Sequence, residues 1–203
     1  MSKPKIAIIT GSTRPGRNNE AVARWVLWHA QQRTDAEFEL VDIAECGLPL
    51  FDEPVSPMFG KYTKPHTRAW SQKIASFDGY VFVTPEYNHS MSGALKNAID
   101  FLYREWNDKA AGFVSYGGGA SGARAVEHLR LVMSELMVAT VRAQVLLSLV
   151  TDFEGFATFK PLPQRESELT MLLDQVVSWA KALRNVRAPA VPRRENVPMA
   201  KAG

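Results

Sequence analysis

The apolar positions fall into two patterns that alternate along the chain. Short runs of β-branched and aromatic residues, bounded by Gly or Pro, separate longer segments whose apolar residues recur three or four apart. The short runs predict strands, and the continuous run at residues 5–10 predicts one buried on both faces, because a half-buried strand would alternate apolar and polar residues. The predicted strands cover residues 5–10, 37–43, 79–84, 111–116 and 140–146.

The segments between these strands predict helices, since their apolar residues recur at the spacing of one helical face. Asn18 or Asn19 is positioned to cap the first helix, and Ser92 to cap the second. The alternation of strands and helices predicts an α/β fold with a parallel sheet covered on both faces. Five strands joined by right-handed crossovers fit the doubly wound order 2-1-3-4-5. The predicted helices cover residues 20–33, 92–103, 121–138 and 166–187.

The composition predicts one globular domain followed by a segment of different character. The chain has 203 residues, of which 46% are hydrophobic and 22% charged, so a large core forms without disulfides or metals. Residues 44–65 are rich in Pro and Gly and are predicted to form a long loop. Residues 188–203 are Pro-rich and basic, so we expect a domain 1–187 and a tail that is disordered or reaches a second subunit.

Charge and cysteine content limit the partners. The formal net charge is +3, which is too small to indicate nucleic-acid binding. No segment has the roughly 18 apolar residues of a membrane span, so we expect no membrane partner. Cys46 is the single cysteine and is expected to be a structural thiol in a reducing compartment. The expected location is therefore the cytoplasm, and the spacing of the histidines predicts no metal site.

Three unusual loops follow the first, third and fourth strands, at the sheet edge where open parallel sheets bind ligands. The first loop reads G-S-T-R-P-G-R-N-N from residue 11 and leads into a helix. Its glycines, hydroxyls, amides and arginines suit a phosphate, because backbone N–H groups and the helix dipole attract an anion. It lacks the dinucleotide fingerprint and the P-loop lysine. The alternative interpretation is a plain polar connection.

The second and third loops suit a flat ligand. Residues 84–93 read T-P-E-Y-N-H-S-M-S-G and place the planar face of Tyr87 beside amide groups. Residues 116–122 read Y-G-G-G-A-S-G, and their glycines let a ligand approach the backbone. Either loop alone would be interpreted as a surface turn, but three such loops at one edge predict a binding site. Glu86 is expected to be structural and His89 to be solvated.

These motifs resemble those of the NAD(P)H-dependent FMN reductases. The resemblance covers roughly residues 5–146 and implies a flavodoxin-like three-layer sandwich that binds FMN and takes electrons from NADPH or NADH. Members of that family reduce free flavin, quinones, azo dyes, nitro compounds or chromate, usually as dimers or tetramers. The motifs that carry the resemblance are GSTRPGRNN after the first strand, PEYNHSMSGALKNAIDFLYREW after the third, and SYGGGASGARAVEHLR after the fourth.

The resemblance also implies which residues bind the cofactor. Ser12, Arg14 and Asn19 correspond to phosphate ligands, with Arg17 and Asn18 beside them. Many relatives have a serine where this chain has Asn18, so the details of phosphate binding differ here. No side chain is expected to be catalytic, because the flavin carries the redox chemistry. Contacts to the isoalloxazine and its pyrimidine side are expected from Pro85, Glu86, Tyr87, Asn88, Tyr116, Gly117, Gly118 and Gly119.

The predicted function is transfer of electrons from NAD(P)H through FMN to a small-molecule acceptor, namely free flavin, a quinone, or an azo or nitro compound. Donor and acceptor are expected to use one site in turn, since no second nucleotide fingerprint is present. The alternatives are a flavodoxin-type electron carrier, a flavin-binding sensor without turnover, and a biosynthetic flavin reductase with one dedicated metabolite. The slightly positive charge counts against a carrier, since carriers usually have acidic docking surfaces.

Two helices predict a homo-oligomer. Apolar residues surround most of the helix 121–138, and the helix 92–103 has a similar excess. A helix that packs on one face of a sheet needs a single apolar stripe, so the outer residues would be exposed in a monomer. We expect at least a dimer, possibly a tetramer, that contacts through these helices. The alternative is that the loop 44–65 or the tail covers them within one chain.

Overall fold

The strands predicted from the apolar runs form one five-stranded parallel sheet. The structure, a computed structural model, describes residues 2–187 of the chain. The strand order is β2-β1-β3-β4-β5, and every neighbouring pair is parallel. This confirms the predicted doubly wound order. The strands are β1 (Lys5–Thr10), β2 (Glu37–Val41), β3 (Gly79–Pro85), β4 (Ala110–Gly117) and β5 (Ala139–Ser148).

Five helices cover the two faces of this sheet and complete a flavodoxin-like three-layer sandwich. They are α1 (Asn19–Gln31), α2 (Pro65–Ala75), α3 (Gly93–Asp100), α4 (Ala123–Glu135) and α5 (Gln164–Arg187). Alternate residues of each strand point to opposite faces. Ile6 and Ile8 therefore pack with α1 and α5, whereas Ala7 and Ile9 pack with α2, α3 and α4. As predicted, Ser92 caps α3, because its Oγ accepts a hydrogen bond from Leu95 N at 3.1 Å.

Besides one turn of 3-10 helix at Pro57–Phe59, two elements were not predicted from the sequence. Helix α2 begins with a proline and buries only three residues, Thr67, Trp70 and Ile74, so its apolar pattern is weak. The second element is a short antiparallel hairpin after β5, formed by β6 (Phe153–Glu154) and β7 (Thr158–Phe159). Strands of two residues are too short to show a periodic pattern.

The segment 44–64 packs against α3 within the same chain. Asn97 Oδ1 accepts a hydrogen bond from Phe51 N at 2.9 Å, and Asn97 Nδ2 donates one to Pro49 O at 2.7 Å. The ring of Phe51 meets that of Phe101 edge-on, with centroids 5.3 Å apart. The segment thus covers the outer side of α3, as one of the two interpretations of the sequence proposed.

The expectation that apolar residues around the helix 121–138 would be exposed in a monomer is wrong for most of them. In and just after α4, the apolar residues Val126, Leu129, Met133, Leu136 and Val138 are all buried within the chain. The large apolar side chains that are exposed in this part of the chain are those of Leu131 and Met137. The helix 121–138 was predicted too long: α4 ends at Glu135, and the left-handed backbone of Met137 (φ 52°) turns the chain toward β5, with Val138 buried directly before that strand. The homo-oligomer itself stays a prediction.

The predicted tail 188–203 lies outside the described residues, and so the division at residue 187 also stays a prediction.

Candidate functional site

The carboxyl ends of β1, β3 and β4 meet at one cavity of about 330 Å³. A volume of this size is typical of small-molecule and cofactor sites. The three loops singled out from the sequence all contribute to its wall, together with residues that follow β5. The lining residues are Arg14, Gly16, Arg17, Asn18, Pro85, Glu86, Tyr87, Tyr116, Gly117, Gly118, Leu149, Phe156 and Ala157.

The loop between β1 and α1, which we call the first loop (residues 11–18), exposes the amino end of α1. Ser12 of this loop is buried, and its Oγ accepts a hydrogen bond from Arg14 N at 3.3 Å. Asn18 occupies the capping position of α1, but its side chain does not cap the helix. The first N–H groups of α1 therefore stay available for another acceptor, which is the arrangement that binds anions at helix termini.

Asn19 has a different role from its neighbour. Its side chain is fully buried, and its Oδ1 accepts a hydrogen bond from Gly11 N at 3.0 Å. Its Nδ2 donates to Val83 O at 2.8 Å, which ties the first loop to β3. Both polar atoms of this amide form hydrogen bonds within the protein, so Asn19 holds the first loop against β3.

The two arginines of the first loop occupy different environments. Arg17 forms an ion pair with Asp42, whose other carboxylate oxygen accepts a hydrogen bond from Thr10 Oγ1 at 2.8 Å. Within residues 2–187, the buried Arg17 Nε has no hydrogen-bond partner. Arg14 is exposed and forms no ion pair with any described residue. Of the two arginines, Arg14 is therefore the one available to an anion in the cavity.

The second loop (residues 86–92) is held in a tight turn. Tyr87 N donates to Ser90 O at 2.8 Å, and Ser90 N donates to Tyr87 O at 3.0 Å. The residues between them, Asn88 and His89, have left-handed backbones with φ of 49° and 68°. Asn88 is exposed at the tip of this turn and does not line the cavity. The Tyr87 hydroxyl lies 3.1 Å from Ser12 Oγ, so the first and second loops are joined by a hydrogen bond.

Glu86 links the second loop to β4 and α4, the elements on either side of the third loop (residues 117–122). Its carboxylate accepts a hydrogen bond from Arg124 N at 3.2 Å and pairs with the Arg124 guanidinium. This places a carboxylate at the amino end of α4, where the helix dipole stabilises negative charge. Glu86 N also donates to Tyr116 O at 3.1 Å. The contacts give Glu86 the structural role expected from the sequence.

The glycines of the third loop leave the cavity open on one side. A Cβ at Gly117 would lie 3.0 Å from Gly122 N, so the close approach of these backbone segments requires glycine. At Gly118 and Gly119 a Cβ would meet no protein atom within 4 Å, which leaves room for a ligand against the backbone. Burial raises the pKa of Tyr116, so its hydroxyl stays protonated beside this opening. A flat ligand fits such a surface.

Leu149, Phe156 and Ala157 line the cavity but were not singled out from the sequence. All three follow β5, in or beside the β6–β7 hairpin. Asn18 Nδ2 donates a hydrogen bond to Phe156 O at 2.9 Å, which joins this hairpin to the first loop. The run F-E-G-F-A-T-F, with a glycine between aromatic residues, was the available sequence signal for a hairpin.

Other candidate chemistry lies outside this cavity. Cys46 is half-buried, and burial raises the pKa of its thiol to about 11, so it stays protonated at neutral pH. In the described part of the chain, no group of three or more His, Cys, Asp or Glu side chains could hold a metal ion. None of the described helices is both long and apolar enough to cross a membrane.

Comparison with known proteins agrees with the fold. The chain matches the NADPH-dependent FMN reductase family over residues 4–152. It is 46% identical over 121 residues to an NAD(P)H-dependent FMN reductase of Schizosaccharomyces pombe. The matched region covers 59% of this chain and 60% of that protein. It is 39% identical over 132 residues to an NAD(P)H:quinone oxidoreductase of Solanum tuberosum, which covers 63% of this chain and 66% of that protein.

The solved structure of FerB, a flavoenzyme NAD(P)H:(acceptor) oxidoreductase from Paracoccus denitrificans, has the same fold. It superposes with a TM-score of 0.68 at 19% identity and covers 88% of this chain and 98% of that chain. The fold is flavodoxin-like, and the cavity lies among the first, second and third loops. The chain belongs to the NADPH-dependent FMN reductase family of oxidoreductases, which use NAD(P)H together with FMN.

Proposed function

We propose that this chain binds FMN in the 330 Å³ cavity and catalyses electron transfer from NAD(P)H to a small-molecule acceptor. The observation that carries the proposal is the convergence of an anion-suited loop and an open glycine-lined surface on one cavity. Bound FMN would supply the redox chemistry, accepting a hydride from the donor and passing electrons to the acceptor. The protein needs to bind and orient the reactants.

The residues of the first loop fit the phosphate of FMN. Arg14 is an exposed guanidinium on the wall of the cavity, and Arg17 lines the same wall while paired with Asp42. Such groups form charge-assisted hydrogen bonds with phosphate oxygens. Ser12 and Asn19 hold the loop in place through Arg14 N and Gly11 N. We propose that the phosphate is bound by Arg14, Arg17, Asn18 and the first N–H groups of α1.

The second and third loops fit the isoalloxazine. Pro85, Glu86 and Tyr87 form one wall, and the backbone of residues 116–118 forms another. N–H groups directed at the ring would stabilise negative charge that develops on the reduced flavin. Gly119 and Asn88 lie just beyond the cavity lining, and we propose that they contact the cofactor or substrate from its rim. No protein side chain is assigned a catalytic role.

A quinone is the acceptor that we propose first. The supporting observation is the 39% identity to the Solanum tuberosum protein that is named an NAD(P)H:quinone oxidoreductase. Quinones are flat and accept two electrons, so one can occupy the open side of the cavity after the donor has left. Free flavin and azo or nitro compounds are other flat acceptors that the same opening admits.

Steady-state kinetics of the purified holoprotein test this proposal. A 1,4-benzoquinone and free FMN are compared as acceptors with NADPH and NADH as donors. We expect parallel double-reciprocal lines, because donor and acceptor use one site in turn, and a higher kcat/KM for the quinone. Intersecting lines would show that both bind at once. Reduction of bound FMN without turnover on any acceptor would identify an electron carrier instead.

We also propose that the chain forms a homodimer, or a tetramer built from it, in the cytoplasm. The segment 44–64 presents several large apolar side chains to solvent, which soluble monomers rarely gather in one place. The exposed residues are Leu50 (84%), Phe51 (41%), Val55 (36%), Met58 (50%) and Phe59 (59%). A second copy of the chain that packs on this segment would shield them. The single cysteine is compatible with a reducing compartment.

A further inference from the structure

Helix α4 holds the second loop through two polar side chains on one of its faces. Arg124 pairs with the carboxylate of Glu86, and His128 Nδ1 lies 2.9 Å from Ser90 Oγ. Residues 124 and 128 are four apart, so their side chains are neighbours on the surface of the helix. Arg124 thus fixes the start of the second loop, whereas His128 contacts it on the far side of its turn. The proposed function gives His128 no role.

Ser90, the partner of His128, is bonded directly to Tyr87. Tyr87 N donates to Ser90 O and Ser90 N donates to Tyr87 O, and these two bonds form an isolated antiparallel bridge. A pair of extended segments this short is marginally stable by itself in water, so its position depends on the contacts around it. A contact that holds Ser90 therefore also holds Tyr87.

Tyr87 is the member of this pair that lines the cavity. Its hydroxyl lies 3.1 Å from Ser12 Oγ, so the first loop holds one end of the residue and Ser90 holds its backbone. His128 itself is exposed and does not line the cavity. Its contact reaches the cavity through Ser90 and Tyr87.

We propose that His128 is a positioning residue for reduction of the flavin, because through Ser90 it holds Tyr87 against the isoalloxazine. This inference rests on the proposed function, which assigns the second loop to that ring. Hydride transfer depends steeply on alignment, and a displacement of about 1 Å can cost about 100-fold in rate. FMN binding also depends on the phosphate contacts of the first loop, so it responds less to such a displacement.

Two replacements of similar size separate the hydrogen bond of His128 from the bulk of its side chain. In His128→Asn, an amide atom occupies the δ position from which Nδ1 of the histidine contacts Ser90. In His128→Leu, a methyl group occupies that position and the hydrogen bond is lost. Leucine forms helices better than asparagine, so a purely structural role would make His128→Leu the milder change. The proposal predicts the opposite order.

The reduction rate is measured by stopped flow on the FMN-loaded protein at saturating NADPH or NADH. We expect His128→Leu to be reduced about fivefold more slowly than the parent, equivalent to one hydrogen bond of about 1 kcal/mol, and His128→Asn to be reduced at close to the parent rate. The dissociation constant for FMN and the midpoint of thermal unfolding should stay near their parent values in both variants.

Ser90→Ala removes the other partner and should slow reduction to the same extent as His128→Leu. Because both changes remove one interaction, the double variant should be no slower than either single variant. Glu127→Ala is the control, since Glu127 is the exposed neighbour of His128 on α4 and does not line the cavity. Its reduction rate should equal that of the parent.

The outcomes separate this inference from the proposed function. Reduction of His128→Leu at the parent rate would overturn the role of His128. Equal slowing in His128→Leu and His128→Asn would overturn it too, because loss of the bond to Ser90 would not be the cause. A loss of FMN affinity in proportion to the loss of rate would assign the contact to binding instead. A parent protein whose bound FMN neither donor reduces would contradict the proposed function itself.

Discussion

Arg14 and Arg17 of the first loop differ in what they contribute. Arg17 forms an ion pair with Asp42 and also contributes positive charge to the site. Its replacement would therefore change both the local structure and the charge of the site. Arg14 is exposed, and the fold does not depend on its side chain. Arg14 is therefore the residue at which the proposed binding of phosphate is tested without loss of structure.

Replacement of Arg14 by alanine should weaken FMN binding by about 1.5–3 kcal/mol, the range for a hydrogen bond to a charged group. Riboflavin lacks the phosphate, so its affinity should hardly change. Fluorescence titration of both ligands measures the effect. Arg24→Ala is the control, because Arg24 carries the same charge on α1 but pairs with Glu20 outside this cavity. Equal losses for FMN and riboflavin would show that Arg14 does not bind the phosphate.

Tyr87 connects the first and second loops through its hydroxyl, which lies 3.1 Å from Ser12 Oγ. Tyr87→Phe removes this bond and keeps the ring, so we expect FMN affinity to fall by about 0.5–1.5 kcal/mol. Tyr87→Ala also removes the flat face and should lose more affinity or slow flavin reduction in a stopped-flow trace. Wild-type affinity and reduction rate in Tyr87→Ala would place the cofactor away from this loop.

At single positions, the sequence predicted the location of the site better than the role of each residue. Asn18 and Asn19 are adjacent and chemically identical, and both were predicted to contact the phosphate. Their burial separates them: Asn19 is fully buried and bonded to two backbone groups, whereas Asn18 reaches the hairpin. Which face of a helix start points into the protein depends on the strand pairing around it, and sequence pattern does not contain that information.

Among the elements, the segment 44–64 shows how a long irregular loop is held in place. Glu53 is buried and accepts hydrogen bonds from Thr63 N, Lys64 N and Thr63 Oγ1 at 2.8 to 3.1 Å. Burial alone would disfavour its charge, but these bonds outweigh it and hold the pKa of Glu53 at about 2. The carboxylate thereby fixes the loop directly before α2.

Glu53→Gln should destabilise the protein by roughly 1.5–3 kcal/mol at neutral pH, because hydrogen bonds to a charged acceptor are lost. The folded-state pKa of Glu53 lies below its usual 4.5, so its contribution is present above pH 4.5 and disappears as the pH falls toward 2. Urea unfolding at several pH values should show the two proteins converge in acid. Glu20→Gln, on the exposed face of α1, is the control. A difference independent of pH would contradict this account.

The elements that the sequence missed share one physical property. The β6–β7 hairpin has two-residue strands, and α2 buries only Thr67, Trp70 and Ile74. The hairpin is held by tertiary contacts such as the Asp152–Arg165 pair, and α2 by contacts such as the hydrogen bond from Trp70 Nε1 to Ala98 O. The central strands β1, β3 and β4 are mostly apolar and are buried on both faces, which makes them visible in sequence. Site residues on loops after those strands were therefore predictable, and those on the hairpin were not.

For the whole molecule, strand order followed from the alternation of strands and helices, because right-handed crossovers restrict the possible topologies. The same reasoning brought three sequence-distant loops to one edge, which the structure confirms. Self-association did not follow in this way. Most apolar residues counted along α4 are buried by its own chain, although Leu131 is exposed, and five other large exposed apolar side chains lie on the segment 44–64.

We expect light scattering coupled to size exclusion to give at least twice the chain mass of 22.6 kDa at micromolar concentration. Leu50→Asp should lower that mass, because a charge would be buried where the subunits meet. Met171→Asp is the control, since Met171 is exposed on α5, on the opposite face of the sheet. A monomeric mass for the parent protein would exclude the dimer.

The central claim is that this chain holds FMN and reduces it with NAD(P)H. The most direct measurement is the visible spectrum of the purified holoprotein under anaerobic conditions, before and after addition of NADPH or NADH. The account predicts a bound-flavin absorption band that one equivalent of donor bleaches and that a quinone then restores. A protein-bound flavin that dithionite bleaches, but that neither NADPH nor NADH reduces, would contradict the account.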